Sequence, residues 1–559
     1  MKLTGFLFAA ALLGACTQPA AEENYTRHVD PKIGTGGHGH VFVGANVPFG
    51  LVQVGPTSIP QTWDWCSGYH ASDSTVIGFS HTHLSGTGIG DLFDVTVMPV
   101  TGNVTYARGT EDDPTSGLWS YADRTQEIAR PGYYSVPLTR YGIRAELTAT
   151  ARVGLHRYTF PASDAAAVVF DLENGGCWDK ATETHLAKEG DRTVTGWRHS
   201  TGWAKDQRVY FAAEFSKPFE KFETIGDNYA RASFRTTDGE QVSLKVALSP
   251  VSVEGARENL AAELPGWDFE ETAKAADKAW NDELSKVKIE TADETARRIF
   301  YTALYHTMIA PSLFCDVNGD YYGSDHAIHR NADFTNYTTF SLWDTYRAAM
   351  PLMTVLHPEK MADIVQTMLH IADEQGRLPV WHLWGNETDC MVGNPGIPVV
   401  ADAIVKGIGG FDREKAFEAI RKTAMNPDRG NGLRMEYGYI PCEMFNEAVA
   451  YDMEYALADG AAARAAETLG KAEDAKYFEE RSHSYRNYFD PATRFMRGRD
   501  SKKGWRTPFN AFASTHRADD YCEGNAWQYT WLAPHDVKGL EGLFGSRAKM
   551  IEKLDSLFT

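Results

Sequence analysis

The chain has 559 residues, and its 75 acidic residues outnumber its 55 lysines and arginines, which gives a formal net charge of −20. Hydrophobic residues make up 43% of the sequence and charged residues 23%, close to ordinary globular usage, which argues against a disordered or fibrous chain. A protein that binds along the phosphate backbone of a nucleic acid needs clustered Lys and Arg on one face. The acidic balance therefore argues against a nucleic-acid partner.

The N-terminus has the pattern of an export signal. Lys2 precedes an apolar run at 6–13, too short to span a bilayer, and the run ends in Leu-Gly-Ala-Cys at Cys16. This ending is similar to the bacterial lipobox and predicts acylation of Cys16, with an ordinary secretory signal as the alternative. We expect a lipoprotein signal peptide at 1–16 and a tether at 17–26. The protein would then be exported to the periplasm or outer membrane, with a lipid anchor as its only membrane attachment.

Two kinds of periodicity divide the rest of the chain. Over 27–267, short β-rich runs are separated by Gly, Asn, Asp and Pro, which predicts an antiparallel β-sandwich. From 268 to 559 the apolar residues recur at helical spacing, and the predicted helices include 342–355, 444–458 and 461–469. Stacked helical hairpins closed into an (α/α)-barrel explain this region better than a solenoid, because no constant repeat period is visible. The expected fold class is α+β multidomain.

Three segments of the first half combine glycine, histidine and tryptophan. They are Gly34–His40, Trp63–His70 and Gly78–Gly88. Glycine lets a backbone approach a ligand closely, and His and Trp supply hydrogen bonds and flat faces. The His-x-His pairs at 38/40 and 81/83 are possible metal ligands, but packed or loop-stabilising histidines are the favoured interpretation. The six cysteines after Cys16 form no Cys-x-x-Cys pair, so no structural zinc site is expected, and their disulfide pairing stays open.

Carboxylates and aromatic residues cluster in the helical half, in segments 342–347, 381–387 and 519–529. Asp344 falls in the first turn of a predicted helix, where a negative charge is favourable in any case. Asp520 and Glu523 have the spacing of a helix-capping pair, and residue chemistry alone leaves open whether they cap a helix or catalyse. Carboxylates set among Trp and Tyr in a barrel mouth suit glycosidic bond cleavage, which needs an acid and a second carboxylate.

Long motifs resemble glycoside hydrolase family 92. The first is Val-Asp-Pro-Lys-Ile-Gly-Thr-Gly-Gly-His-Gly-His at 29–40, continued by Asn-Val-Pro-Phe-Gly at 46–50. The match runs on through the sandwich motifs at 63–70 and 78–88 and through two barrel motifs, Ser-Leu-Trp-Asp-Thr-Tyr-Arg at 341–347 and Glu-Gly-Asn-Ala-Trp-Gln-Tyr at 523–529. The resemblance implies an exo-acting, calcium-dependent, inverting α-mannosidase with an N-terminal β-sandwich and an (α/α)6 barrel. A mannose-containing glycan, such as an N-glycan or mannan, is then the expected substrate.

The resemblance also assigns roles to residues. Glu523 corresponds to the catalytic acid, and Asp344 corresponds to a sugar-binding aspartate. The sandwich segment that closes the pocket implies sugar contacts for four neighbouring residues, namely Trp63, Asp64, Trp65 and Cys66.

One motif of the family has no counterpart in this sequence. The general base belongs to a later Gly-Asn-(Asp/Glu)-Asp-x-Gly-x-x-Ser-Ala-Trp motif, which is not found before Thr559, and most calcium ligands belong to the same later region. We therefore expect a truncated sequence with an incomplete barrel, and a polypeptide that cannot complete the inverting reaction alone. A non-catalytic mannose- or glycan-binding surface lipoprotein is the first alternative. An (α/α)-barrel enzyme acting on another sugar is the second.

Overall fold

The computed structural model describes residues 23–60, 62–113 and 115–559. Its N-terminal part is built from strands, which pair antiparallel throughout. These strands are β1 (Gly55–Thr57), β2 (Thr75–Val76), β3 (Gly78–Ser80), β4 (Thr96–Thr101), β5 (Ser120–Tyr121), β6 (Ile128–Arg130), β7 (Tyr133–Leu138), β8 (Ile143–Ala149), β9 (Val153–Phe160), β10 (Ser163–Asp171), β11 (Lys180–Glu189), β12 (Thr193–Thr201), β13 (Gln207–Phe215), β14 (Lys221–Ile225), β15 (Tyr229–Thr236) and β16 (Glu240–Ser249).

Two sheets of these strands form a sandwich. One has the order β1-β3-β4-β10-β15-β14 and the other the order β11-β12-β13-β16-β9-β8-β7-β6. Along β8, alternate residues from Ile143 are buried because every second side chain of a strand points to the same face. The edge strand β11 is mostly exposed and rich in Lys and Glu, which discourages pairing with another chain. The predicted antiparallel sandwich is confirmed.

The second part is helical, as predicted. Its helices are α1 (Val253–Glu263), α2 (Phe269–Leu284), α3 (Glu294–His306), α4 (Leu342–Thr345), α5 (Ala349–Leu356), α6 (Pro358–Gln375), α7 (Gly396–Val405), α8 (Arg413–Met425), α9 (Asn431–Tyr437), α10 (Ala448–Thr468), α11 (Ala472–Arg481), α12 (Ala526–Tyr529), α13 (Val537–Phe544) and α14 (Arg547–Asp555). Short strands lie between them, namely β17 (Ser312–Leu313), β18 (Tyr321–Tyr322), β19 (Ile328–His329), β20 (Tyr337–Thr338), β21 (Phe340–Ser341), β22 (Trp381–Leu383), β23 (Asn386–Glu387), β24 (Phe489–Asp490) and β25 (Phe495–Met496).

Local sequence explains where several helices begin. Asp268, Asp293 and Asp412 precede α2, α3 and α8, and each carboxylate accepts hydrogen bonds from backbone N–H groups of the first turn. Helix α10 is buried on nearly every side, and its many alanines let α7, α8 and α11 approach it closely. A helix buried all round is central to its domain. This arrangement fits the expected helical barrel.

Part of the helical region packs into the hydrophobic core of the sandwich. Phe314, Tyr322, Trp381 and Trp384 of the helical part belong to the same buried cluster as the sandwich interior. Helix α1 lies before the predicted domain boundary at 267/268 and packs on strands of the sandwich. The position of that boundary stays a prediction. This packing attaches the sandwich to the helical domain.

Part of the predicted N-terminal tether is docked. The Tyr25 amide donates to Asn281 Oδ1 at 2.7 Å, and Thr26 Oγ1 donates to Asp277 Oδ1 at 2.6 Å, which attaches this segment to α2. The predicted signal peptide, the predicted lipidation residue Cys16 and the first part of the predicted tether lie outside the described residues. Within the described ranges, no helix combines the length and apolar character needed to cross a bilayer.

Candidate active site

Asp344 lies at the start of α4, where its carboxylate is exposed. Ser341 precedes the helix, and its hydroxyl donates to Asp344 Oδ2 at 2.6 Å. This contact orients the carboxylate in the first turn, where the helix dipole favours negative charge. The predicted sugar-binding residue is therefore accessible and held in place.

A buried carboxylate, Glu454 of α10, anchors the segment that contains Asp344. It accepts hydrogen bonds from Trp343 Nε1 at 3.0 Å, Tyr346 Oη at 2.8 Å and Arg347 Nη2 at 2.7 Å. Burial raises the pKa of the Glu454 carboxyl, whereas the Arg347 charge lowers it. Sequence reasoning missed Glu454, and the available signal was an acidic residue in the middle of an alanine-rich helix.

Glu523 lies on a tight turn before α12. Its backbone is left-handed, with φ 47°, and its side chain is exposed. On one side, Tyr529 Oη donates to the Cys522 carbonyl at 2.7 Å. On the other, Asn525 and Gln528 form a capping box that fixes the start of the helix. The turn thus presents Glu523 to solvent on a backbone held from both sides.

The capping interpretation of Asp520 and Glu523 is wrong. The capping box is formed by Asn525 and Gln528, five residues further along from each member of the suggested pair. Asp520 is buried and accepts from Arg506 Nε at 2.7 Å, so its role is a structural ion pair. Glu523 is left free of any capping function.

The segments of Asp344 and Glu523 pack in one hydrophobic cluster, in which Trp343 lies against a group of buried residues that includes Cys522, Ala526 and Tyr529. Tyr529, which closes the Glu523 turn, lies close enough to Tyr346 and Arg347 to influence their pKa values, and Glu454 in turn contributes to raising the pKa of Tyr529. Two motifs far apart in sequence therefore pack near Glu454, whose hydrogen bonds come from the first of them. These two motifs and two neighbouring loops are called the barrel mouth, with the ranges 341–347, 387–393, 443–447 and 515–529.

The three glycine- and histidine-rich segments of the sandwich also converge. Asp64 Oδ1 lies 2.5 Å from His38 Nδ1, Trp63 Nε1 donates to the Gly88 carbonyl at 2.9 Å, and the Trp63 ring meets the His40 ring edge-on at 4.4 Å. Trp63 is 48% exposed, which is unusual for an indole held by this many contacts. These contacts present an aromatic face to solvent.

The other two predicted sugar contacts of this segment are less accessible. Trp65 is half-buried, stacks on His70 at 4.5 Å and donates from Nε1 to Asp73 Oδ2 at 2.9 Å. Cys66 is fully buried, and its thiol lies beside that of Cys177. Of the predicted contacts in this segment, Cys66 is the one that faces the interior.

The second histidine pair is packed, as the favoured interpretation predicted. His81 and His83 are buried, and their Nδ1 atoms donate to the carbonyls of Val95 at 2.6 Å and Gln53 at 2.7 Å. Because His81 Nδ1 is the donor, its Nε2 accepts from His156 Nε2 at 2.9 Å. Burial lowers the pKa of His81 to about 3 and that of His83 to about 4, so both rings are neutral.

Loops at the sandwich edge contact the β22–β23 hairpin, which leads into the 387–393 loop of the barrel mouth. The rings of Trp203 and Trp381 lie 4.5 Å apart, and Asp206 and Asn386 exchange two hydrogen bonds of 3.0 Å each. Among the described residues, no hydrogen bond, ion pair or ring contact joins the 63–66 segment directly to Asp344 or Glu523. The structure thus places the segments of Asp344 and Glu523 in one hydrophobic cluster, whereas the contacts of the 63–66 segment lie within the sandwich.

One cluster in the described residues has the spacing of metal ligands. His329 Nε2 lies 3.1 Å from Asp325 Oδ1 and 3.5 Å from Glu374 Oε1, on the β18–β19 hairpin and α6. Calcium is bound by six to eight oxygen atoms, whereas this group offers an imidazole nitrogen and two carboxylates. The cluster does not fit the calcium ion that the family resemblance implies.

Family models match both halves of the chain. The glycosyl hydrolase family 92 N-terminal domain matches residues 28–249, and the family's catalytic domain matches residues 255–559. The chain belongs to glycosyl hydrolase family 92. Its motifs are therefore those of a glycosidase family, and the barrel mouth lies within the family's catalytic domain.

Solved structures and a curated protein agree with this family 92 assignment. The α-mannosidase BT3965 from Bacteroides thetaiotaomicron, solved in complex with mannoimidazole, is 39% identical with a TM-score of 0.92, covering 96% of this chain and 74% of its own. The inverting mannosidase BT2199 from Bacteroides thetaiotaomicron VPI-5482 is 30% identical with a TM-score of 0.87, over 95% of this chain and 74% of its own. An uncharacterized secreted glycosidase from Arthroderma benhamiae is 26% identical over 96% of this chain and 74% of that protein.

Proposed function

We propose that this family 92 glycosidase is an exo-acting α-mannosidase that releases mannose from glycans such as N-glycans or mannan with inversion of configuration. The names of its relatives support the substrate and the stereochemistry, since BT3965 is an α-mannosidase and BT2199 an inverting mannosidase. The observation that supports the proposal most strongly is the placement of Glu523. Its carboxyl is exposed on a constrained turn beside the segment of Asp344, at the mouth of the catalytic domain.

In the proposed mechanism each residue has one role. Asp344 binds hydroxyl groups of the terminal mannose, and Trp63 and Asp64 close the pocket from the sandwich side. Glu523 protonates the glycosidic oxygen as the bond to the leaving group breaks, while a water molecule attacks from the opposite face and gives its proton to the general-base carboxylate that the family resemblance places in a later motif. Glu454 acts through Asp344 by fixing the helix that carries it.

Calcium dependence is part of the proposal through the family resemblance. In such enzymes the ion would help to hold mannose hydroxyls, and the Asp325–His329–Glu374 cluster is not its site, because its donor set includes an imidazole. Loss of mannoside hydrolysis in EDTA, with recovery on addition of calcium but not magnesium, would support this part.

Export and lipid anchoring at Cys16 are likewise proposed. The signal pattern of residues 1–16 supports export, and so does the secreted relative from Arthroderma benhamiae. Changing Cys16 to Ser should move the protein from the membrane fraction to the soluble fraction of the cell. An unchanged distribution would contradict the anchor at the periplasmic or outer-membrane face.

The decisive experiment replaces Glu523 by Gln in a protein that includes the general-base motif of the family and compares two substrates. With a mannobiose, whose leaving group needs protonation, we expect the rate to fall by about 10²–10⁴-fold. With 2,4-dinitrophenyl α-mannoside, whose leaving group departs as an anion, the loss should be much smaller. Glu436→Gln, an exposed carboxyl on α9, is the matched control.

Each result has a defined meaning. Equal losses on both substrates would refute the acid role, and unchanged rates would refute the assignment of Glu523 altogether. Absence of mannoside hydrolysis by an otherwise unaltered protein that includes the general-base motif would overturn the enzyme proposal. Mannoimidazole binding measured by calorimetry on the same sample would then favour the glycan-binding alternative, and NMR of the first mannose anomer released tests inversion.

A further inference from the structure

Glu447 occupies an unusual position at the barrel mouth. It immediately precedes α10, and its backbone is left-handed with φ 56°, a conformation that glycine adopts more easily than glutamate. Its amide donates to the Asp519 carbonyl at 2.7 Å, and its carbonyl accepts from the Tyr451 amide at 2.9 Å. The surrounding loops therefore hold the backbone in a costly conformation, as is common at binding sites.

The Glu447 carboxylate is buried with one oxygen unpaired. The residue is 8% exposed, and Oε1 is shielded from solvent without a hydrogen-bond partner among the described residues. Burial raises the pKa of this carboxyl, while the adjacent Cys522 thiol, acting as a donor, lowers it. Leaving a buried acceptor unsatisfied costs about 1–3 kcal/mol. A ligand that donates a hydrogen bond to Oε1 would recover that cost.

A cavity of about 490 Å³ opens beside Glu447. Loops 389–390 and 443–447 line it together with Arg517, whose Nη2 donates to the Cys390 carbonyl at 3.2 Å. Carboxylates, an amide and a guanidinium supply donors and acceptors, and Tyr451 supplies an apolar wall. This mixture suits a saccharide, which presents hydroxyl groups at its edge and C–H groups on its faces.

The cavity also lies next to the proposed acid. Cys522 contacts the Glu447 side chain, and the following residue is Glu523. An acid catalyst protonates the oxygen that departs with the leaving group, so the saccharide that leaves must pass along this residue. We infer that Glu447 and the cavity beside it form a subsite for the leaving saccharide, in which Oε1 accepts a hydrogen bond from one of its hydroxyl groups. The inference rests on the proposed α-mannosidase function and deepens it.

Binding measurements in a Glu523→Gln background test this subsite without turnover. Calorimetry would compare methyl α-mannoside, which fills only the mannose pocket, with a panel of α-linked mannobioses, which also reach the leaving-group side. Glu447→Gly should weaken binding of the preferred mannobiose at least tenfold and change binding of methyl α-mannoside less than twofold. Glycine suits the left-handed backbone, so this variant keeps the fold, which thermal unfolding verifies.

Glu447→Gln provides a second, less disruptive variant, and Glu436→Gln again serves as the control carboxyl. Equal weakening of both ligands would place Glu447 in the mannose pocket and overturn the inference. Unchanged affinity for both ligands would overturn it as well. If the Glu523→Gln protein bound neither ligand, the proposed mannosidase function itself would fail. Selective loss of the disaccharide supports the subsite.

Discussion

The carboxylate of Glu454 accepts a hydrogen bond from the guanidinium of Arg347 at 2.7 Å, across 107 residues of sequence. Trp343 and Tyr346 donate to the same carboxylate, so three residues around Asp344 depend on one buried group. A carboxylate this deeply buried is stable only when its lone pairs are occupied. The proposed sugar-binding aspartate is therefore positioned from the centre of the helical domain.

We predict that Glu454→Gln destabilises the protein by about 2 kcal/mol, below the usual cost of breaking a fully buried ion pair because Arg347 is 38% exposed. The affinity for methyl α-mannoside should fall as well, since Asp344 loses its support. Urea unfolding measures the first effect and calorimetry the second. Glu467→Gln on the same helix is the control, because its pair with Arg464 is exposed and should contribute under about 1 kcal/mol. Equal destabilisation by the two variants would refute the anchoring role.

A second prediction concerns Trp63, whose exposed indole we expect to stack on mannose. Trp63→Ala should weaken methyl α-mannoside binding about tenfold or more, with little change in the free energy of unfolding, because the side chain is 48% exposed. Tyr477→Ala removes an aromatic residue of similar exposure, 44%, from the distant helix α11. Retained affinity in Trp63→Ala, or comparable loss in both variants, would count against the predicted contact.

A third prediction follows from the low pKa of His83, about 4 because of its burial. The unfolded chain takes up a proton near pH 6.5, whereas the folded chain does so near pH 4. The stability that this group contributes is thus present above pH 6.5 and is lost as the pH falls from 6.5 to 4. The loss amounts to about 3 kcal/mol, since each pKa unit corresponds to about 1.4 kcal/mol.

Replacing His83 by Gln keeps a donor for the Gln53 carbonyl and removes the titrating group. Between pH 7 and pH 4, the unaltered protein should lose about 3 kcal/mol more unfolding free energy than the variant. Urea unfolding followed by tryptophan fluorescence at four pH values measures the difference. If the unfolding free energies of the two proteins fell in parallel with pH, the prediction would be wrong, because His83 would then have the same pKa in the folded and unfolded chain.

The fourth prediction concerns Arg198, which is fully buried in the sandwich between Asp94 and Asp179. Its removal leaves two buried carboxylates without their positive partner. Arg198→Met should therefore destabilise the protein by about 3–5 kcal/mol. Arg257→Met, which breaks an exposed pair with Glu189, should cost under about 1 kcal/mol in the same urea assay. A small effect at position 198 would contradict this prediction. It would mean that Asp94 and Asp179 take up protons in the variant and so avoid a buried, unpaired charge.

Two helix boundaries differ from those that the local sequence pattern predicts. The sequence pattern predicts one helix over 342–355, but the structure divides it between α4 and α5. Pro351 lies in the first turn of α5, and a proline has no N–H to bond the carbonyl four residues earlier, so a helix starts there more easily than it continues. The opposite error occurs at Gly460. The pattern suggests two helices, whereas α10 runs through, because neighbouring helices bury it on both sides of the glycine.

The sequence by itself determined the family, the order of sandwich and helices, and the identity of Glu523 and Asp344 as candidates, because long motifs and hydrophobic periodicity are local properties of the chain. It did not identify Glu454 or Glu447, since their roles depend on partners in distant segments. The same limit appears in the two His-x-His pairs. His38 is exposed beside Asp64, while His81 is buried and neutral, although their spacing is identical. Only the tertiary structure decides burial, and burial sets both the charge of a histidine and the cost of an unpaired carboxylate.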